Sequence, residues 1–170
     1  MAVGYGEAAV ILFFYVTMLL TFARRKTILG EFLMGILFGF GWELLTLNFW
    51  DYNMPLILFE DVSILVVIGW GVVFVLTYNT SEYLMKRANF KHWIFADLVS
   101  SAWGLVFEWF GHVFFKTWEY NDVFGQEGFM GIPWAIFFAW PGMVVLFNHF
   151  MRNYDTIIET RLSQVRVTSD

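Results

Sequence analysis

An all-α fold, a polytopic bundle of about five membrane-spanning helices, is what this sequence predicts, and three observations predict it. Hydrophobic residues make up 59% of the 170-residue chain and charged residues only 15%, against about 45–50% and about 25% in an ordinary soluble domain. A core of this size cannot hide that excess, so much of the apolar surface must face lipid. Five apolar windows of roughly the 20 residues needed to cross a bilayer follow one another, each bounded by charged or turn residues. Basic residues gather in alternate connections, the pattern that fixes orientation in a membrane.

The first window runs from Glu7 to Ala23 and is closed by Arg24, Arg25 and Lys26. No basic residue precedes it, so it reads as a retained span rather than a cleaved signal peptide. The second covers Thr27 to Trp50 and the third Pro55 to Tyr78. The fourth extends from His92 to Lys116 and the fifth from Met130 to Met151, giving a transmembrane domain over residues 1–151. Arg152 to Asp170 reads as a polar cytoplasmic tail, either a short amphipathic helix or disordered. Lys86, Arg87 and Lys91 follow the third span, and Arg152, Arg161 and Arg166 the fifth. The other two connections carry Asp51, Glu119, Asp122 and Glu127. The positive-inside rule therefore puts the N-terminus outside and the C-terminus in the cytoplasm.

Two stretches resemble each other. The second span has Gly39, Glu43, then Trp50-Asp51-Tyr52-Asn53 and Pro55; the fourth has Gly104, Glu108, then Trp118-Glu119-Tyr120-Asn121 and later Pro133. Both run from inside to outside, so this is a parallel two-helix repeat with units at about 27–78 and 92–151. Interfacial aromatic belts by chance are the competing explanation.

Several function classes fall away. Without cysteine there is no disulfide, thiolate nucleophile or Cys-ligated metal, and His92, His112 and His149 leave little for a His-rich site. A net charge of −5 with no sustained basic stretch excludes nucleic acid as a partner. No phosphate-binding glycine fingerprint is present. Neither a cofactor nor a metal is expected.

Ionisable groups within a bilayer cost about 2.5–3.5 kcal/mol each and so carry function by default. Glu43, seven residues before Trp50, lies roughly 10 Å inward from the outer interface, and Glu108, ten before Trp118, roughly 15 Å. Glu60 and Asp61, counted as helical from Pro55, reach roughly 8 Å inward; helix capping or pairing with Lys116 is the alternative. His112 falls one turn after Glu108, in hydrogen-bonding reach. Asp97 and Ser101 share that stripe, although Asp97 also reads as a cytoplasmic interface residue. Glu31 reads as a solvated end or a partner of Arg24 and Lys26, Lys116 as a snorkelling interfacial cation, and Asn148 and His149 as interfacial.

Carboxyls crowded in low dielectric cannot all ionise, so at least one is expected to hold its proton. Aromatics make up 22% of the chain, 21 Phe, 9 Trp and 7 Tyr, more than lipid contact requires. Aromatic faces stabilise cations. An acid that protonates an alkene or epoxide, in a cavity that shelters the carbocation, performs isoprenoid cyclisation or hydration. Glu43 and Glu108 are the expected acid/base pair, supported by Glu60, Asp61 and His112. Trp42, Trp50, Trp109, Trp118, Tyr120, Trp134 and Trp140 are the expected substrate-binding aromatics.

Glu108-Trp-Phe-Gly-His112, Trp118-Glu-Tyr120 and Gly131-Ile-Pro-Trp134 through Trp140 resemble membrane-integral carotenoid hydratases and lycopene-cyclase relatives. Gly39-Phe-Gly-Trp-Glu43 is similar to the Trp-Glu helix of membrane-bound meroterpenoid cyclases. The likeness covers about sixty residues, with Glu60-Asp61 displaced from Pro55 and Phe138-Ala139 at the corresponding place in the second half. It implies an enzyme acting on a lipophilic isoprenoid, in contact with membrane lipid, as a homo- or hetero-oligomer if a partner completes the cavity. A proton- or ion-coupled transporter or channel subunit, and an accessory subunit of a membrane complex, are the competing readings.

Overall fold

The computed structural model describes residues 4–22, 28–46, 49–60, 62–87, 92–121 and 128–167. Helices dominate: α1 (Tyr5–Phe22), α2 (Ile28–Thr46), α3 (Ile64–Arg87), α4 (Trp93–Ser100), α5 (Ala102–Glu108), a π-helical segment (Trp109–Phe114) and α6 (Trp134–Val167). Three of them, Ile28–Thr46, Ile64–Arg87 and Trp134–Ile157, are long and apolar enough to cross a membrane, and Tyr5–Thr21 is apolar but shorter. The basic residues Arg24, Arg25, Lys26 and Lys91, and the acidic Asp122 and Glu127, lie outside the described residues.

α3 is the axis of the bundle and packs against α1, α2, α4, α5 and α6. Its apolar residues are buried on every side, from Leu65 through Tyr78, as expected of a helix without a polar face. α1 shows it a narrow stripe of Ala8, Ile11 and Tyr15, while Leu12, Phe13, Val16 and Leu20 point outward. The centre of the core is aromatic. Trp70 stacks on Trp140 at 5.0 Å, Phe74 lies 5.6 Å from Trp70 and 4.3 Å from Phe147, and Phe38 closes the stack 5.7 Å from Phe147.

The chain is mostly helical, as expected, and among the described residues four short strands join the helices: β1 (Trp50–Tyr52), β2 (Ile57–Phe59), β3 (Val62–Ser63) and β4 (Trp118–Tyr120). β2 and β3 replace the first turns of the third span, which was expected from Pro55. Ile57, Phe59 and Val62 are branched or aromatic residues that favour strands, and Leu56 and Glu60 take positive φ of 64° and 47°, which no right-handed helix holds. α3 starts only at Ile64, where Ser63 Oγ accepts from the Leu65 N–H at 3.2 Å and donates to the Pro55 carbonyl at 2.7 Å.

The fourth span is interrupted rather than uniform. Ser100 and Ser101 hydroxyls donate to the carbonyls of Asp97 and Leu98, competing with the helix ladder. The following π segment adds a wider turn. The helix of the fifth span does not stop at Met151: α6 continues to Val167, so the residues read as a tail take the helical one of the two forms expected for them, without a break from the span. Arg152, expected in that tail, reaches back into the bundle.

β1 and β4 pair antiparallel with Trp50 opposite Tyr120, Asp51 opposite Glu119 and Tyr52 opposite Trp118. The ribbon is therefore self-complementary about Asp51 and Glu119. Phe49 and Asn121, and Asn53 and Thr117, extend it at each end. A matching contact lies beneath each strand: Gly39 faces the Trp70 ring and Gly104 the Trp140 ring, with no room for a Cβ at either. Gly39→Ala and Gly104→Ala are each expected to cost about 1–3 kcal/mol by overpacking, read as the shift of a thermal or denaturant unfolding curve in detergent.

Candidate functional site

Helical spacing places Glu43 one turn after Gly39 and Glu108 one turn after Gly104, so each carboxyl emerges beside the tryptophan its glycine admits. Glu43 is 1% exposed; its Oε1 accepts from Trp70 Nε1 at 2.6 Å and its Oε2 from the Tyr52 hydroxyl at 2.7 Å. Glu108 is 4% exposed; its Oε1 accepts from Trp140 Nε1 at 3.1 Å, and its Oε2 from the Tyr120 hydroxyl at 2.6 Å and Trp118 Nε1 at 3.2 Å. Each acid thus holds the tyrosine of its own strand and the tryptophan of its own following helix. The stacked Trp70 and Trp140 join the two halves.

Both carboxyls line one small pocket with Trp50, Tyr52, Val66, Trp70, Phe107 and Trp118. Burial pushes the Tyr52 and Tyr120 phenols up from their ordinary value, and the neighbouring Glu43 and Glu108 carboxyls push further in the same direction. Both tyrosines therefore keep their protons at any physiological pH. Indole N–H groups only donate, whereas a tyrosine hydroxyl donates or accepts. An added proton on Glu43 Oε2 is accommodated by turning the Tyr52 hydroxyl into an acceptor, with the Trp70 bond intact. Glu108 Oε2 holds Trp118 as well as Tyr120, so it is built to stay an acceptor. Among the described residues no group of three His, Asp or Glu side chains could hold a metal ion.

Of the expected site residues, Glu43, Glu108, Trp50, Trp118, Tyr120 and Trp140 come together. Trp50 is buried and donates to Thr46 Oγ1. Glu60 does not join them: it sits exposed on the turn of the β2–β3 hairpin, because the depth assigned to it assumed a helix from Pro55, whereas α3 starts nine residues later, at Ile64. Asp61 lies outside the described residues. His112 does not reach Glu108 either. The π segment breaks the four-residue stacking, and His112 Nδ1 donates to the Trp118 carbonyl at 2.9 Å with its ring 4.4 Å from Tyr120. Trp42 is half-buried next to Glu43, and its Nε1 has no acceptor among the described residues. Trp109 packs on Phe110 and Phe114, and Trp134 is half-exposed against Phe138, so neither lines the acid pocket.

Tyr52 and Trp70 were not expected. Tyr52 is signalled by the repeat, since it matches Tyr120; Trp70 lies in an aliphatic run with no local signal.

A second, larger apolar groove adjoins the acids. α1 contributes Phe14 and Met18, α3 contributes Val72 and Leu76, and Trp103 and Phe110 face them. Its empty space, mouth included, is about 580 Å³. Phe107 and Trp118 belong to both the groove and the acid pocket and form the wall between them.

The opposite end of the bundle holds a separate polar cluster. Asp97, fully buried, accepts from Ser81, from Asn148 Nδ2 at 2.8 Å, and from Arg152 at 2.9 and 2.7 Å. Arg152 also reaches Glu82 at 3.2 Å and lies over the Trp93 ring at 5.4 Å. Glu31, expected at a solvated end, is fully buried and accepts from Asn79 Nδ2 at 2.9 Å. Asn148, expected at the interface, is fully buried too.

No protein-family model, no curated protein and no solved structure matches this chain.

Proposed function

We propose that the protein is an integral membrane enzyme, N-terminus outside and C-terminus cytoplasmic, that acts on a lipophilic isoprenoid by acid-initiated cyclisation or hydration. The observation that carries this reading is the pocket in which Glu43 and Glu108 meet within walls of tryptophan, tyrosine and phenylalanine, one shared wall away from an apolar groove. Glu43, whose Oε2 can carry a proton against Tyr52, protonates an alkene carbon or an epoxide oxygen of the substrate. The cation that forms lies against aromatic faces. The Glu108 carboxylate, fixed by three donors, then takes a proton from the adjacent carbon to leave an alkene, or orients a water that adds to the cation. The resemblance to carotenoid hydratases, lycopene cyclases and meroterpenoid cyclases supports the same chemistry.

A proton relay across the membrane fits less well. Between Trp140, at Glu108, and Asn148, at Asp97, the inward residues of α6 are Val144 and Phe147, both fully buried and apolar. The stack of Trp70, Phe74 and Phe147 fills the rest of that gap. Among the described residues, Thr77 is a buried hydroxyl of α3 between Trp70 and Ser81, and it is tied to the Phe74 carbonyl rather than to either acidic cluster.

Mass spectrometry of lipids extracted with the purified protein tests the proposal. A polyene, prenylated quinone or other isoprenoid enriched over the host membrane is the expected result. Bulk phospholipid alone would overturn it.

A further inference from the structure

Tyr15 is a buried residue with a polar group that this chemistry leaves unused. It stands on the inner stripe of α1 with 6% of its surface exposed, stacks on Phe107 at 5.9 Å and forms part of the groove wall. Its hydroxyl lies against α3 at Gly69, where a Cβ would come within 2.7 Å of Tyr15 Oη and 2.5 Å of Phe107 Cζ. The inward tyrosines Tyr52, Tyr78 and Tyr120 each donate to a carboxylate, of Glu43, Asp155 and Glu108. Tyr15 Oη has no hydrogen-bond partner among the described residues. A hydroxyl without a partner in an apolar wall is costly; the Oη is not fully enclosed, and Tyr15 lines the groove.

We propose that the groove takes the chain of a lipophilic molecule bearing a neutral oxygen function, a hydroxyl, carbonyl or epoxide, and that Tyr15 donates its O–H to that oxygen. The shared wall of Phe107 and Trp118 is what parts this site from the acids, and the inference rests on the isoprenoid reading and names its substrate class: an oxygenated chain rather than a pure hydrocarbon. The groove walls suit the chain, being Ile11, Met18, Val72 and Leu76 with the aromatic Trp103 and Phe110. Among the described residues, none that lines it is charged, which fits a neutral ligand.

The test uses the full chain in lipid nanodiscs with decylubiquinone as a quencher of tryptophan emission, since Trp103 and Trp118 line the groove. Geranylgeraniol and the hydrocarbon of the same skeleton then compete with it. Wild type is expected to release the quinone at about threefold to tenfold lower concentration of the alcohol than of the hydrocarbon, the range of one hydrogen bond. Tyr15→Phe is expected to erase that preference and leave the hydrocarbon value unchanged, which also reports an intact fold. Gly69→Ala, pressing on Tyr15 and Phe107, is expected to weaken both competitors. Equal displacement by the two in wild type, a preference that survives Tyr15→Phe, or a loss of hydrocarbon binding in Tyr15→Phe would each overturn the proposal. The assay reads binding only. Acid variants that keep the wild-type product profile while the alcohol preference holds would reject the catalytic reading and leave the groove; the opposite pair of results would reject the groove alone.

Discussion

Glu43→Gln is expected to lower isoprenoid conversion by at least about a hundredfold, the lower range for loss of a general acid, while leaving the protein folded. The amide keeps Trp70 on Oε1 and places its NH₂ where Tyr52 donates; that hydroxyl turns and accepts instead. No hydrogen bond is lost, so stability should change by less than about 1 kcal/mol. Glu108→Gln differs. Its NH₂ must face either Trp140 or the pair Trp118 and Tyr120, and in both orientations an indole N–H meets another donor. That variant should lose conversion and also about 1–3 kcal/mol of stability, the cost of an unmet buried donor. Product is followed by mass spectrometry of the isoprenoid fraction from membranes carrying each variant, and stability by thermal unfolding in detergent. A correctly inserted Glu43→Gln protein with the wild-type product profile would remove Glu43 from the chemistry. Equal stability of the two variants would show that the Trp118 and Trp140 bonds do not restrain Glu108.

The difference between the two acids comes from one extra donor, and that donor comes from a difference in helix geometry. Glu43 and Trp50 are seven residues apart, Glu108 and Trp118 ten. The π segment Trp109–Phe114 takes up the additional length. Gly111 then lies against the Trp118 ring with no room for a Cβ, and Thr117 bonds back to the Gly111 carbonyl through both its N–H and its hydroxyl. Trp118 is thereby turned to Glu108, whereas Trp50 gives its N–H to Thr46. Two matching halves thus acquire different hydrogen bonding, as an acid and a base require of two carboxyls in one pocket.

Hydropathy alone located the long helices, because a window of about 20 apolar residues has few other uses. It missed where they start and stop. The branched and aromatic run of Ile57, Phe59 and Val62 is as apolar as a helix start, so it was taken into the third span, and Glu60 was assigned a depth it does not have. Met151 was taken as an end because Arg152 follows it, although a cation next to an apolar window either meets water or meets a buried anion. Asp97 is that anion, 55 residues away in sequence. Its position on an apolar helix announced the need for a partner, but nothing local named Arg152.

The acids of the site were legible for the same reason: Glu43 and Glu108 interrupt apolar runs. Their donors were legible only in part. Tyr120 and Trp118 follow Glu108 in a string that occurs twice, and the string points equally to Tyr52. His112 was misplaced because four-residue stacking presumes 3.6 residues per turn, which the π segment does not provide. Trp70 was invisible, since a tryptophan in a buried aliphatic helix carries no sign of which carboxyl it will meet.

The charge pair at the other end should carry the largest single share of stability. Arg152→Met is expected to cost about 3–5 kcal/mol, because it leaves the fully buried Asp97 without its counterion, and Asp97→Asn somewhat less, because Arg152 keeps Glu82. Asp97→Asn combined with Arg152→Met removes both charges, and a buried pair replaced by neutral groups of similar size is often close to neutral. The double variant should therefore be more stable than either single one, a positive coupling of about 2 kcal/mol or more in a double-mutant cycle. Denaturant unfolding followed by tryptophan emission measures all four proteins. A double variant as unstable as the sum of the singles would place the weight on Ser81 and Asn148, the other donors to Asp97. The site should feel the loss as well. Arg152 ties α6 to α3 through Ser81 and Glu82 and to α4 through Asp97, and Trp140 stands twelve residues, roughly 18 Å, along the same helix. Freeing α6 at Arg152 lets it slide or turn against its neighbours, and Trp140 has no slack: its ring fills the space left by Gly104 while its N–H reaches Glu108. The single variants should accordingly lose conversion beyond what their folded fraction explains, and the double variant should recover it together with stability.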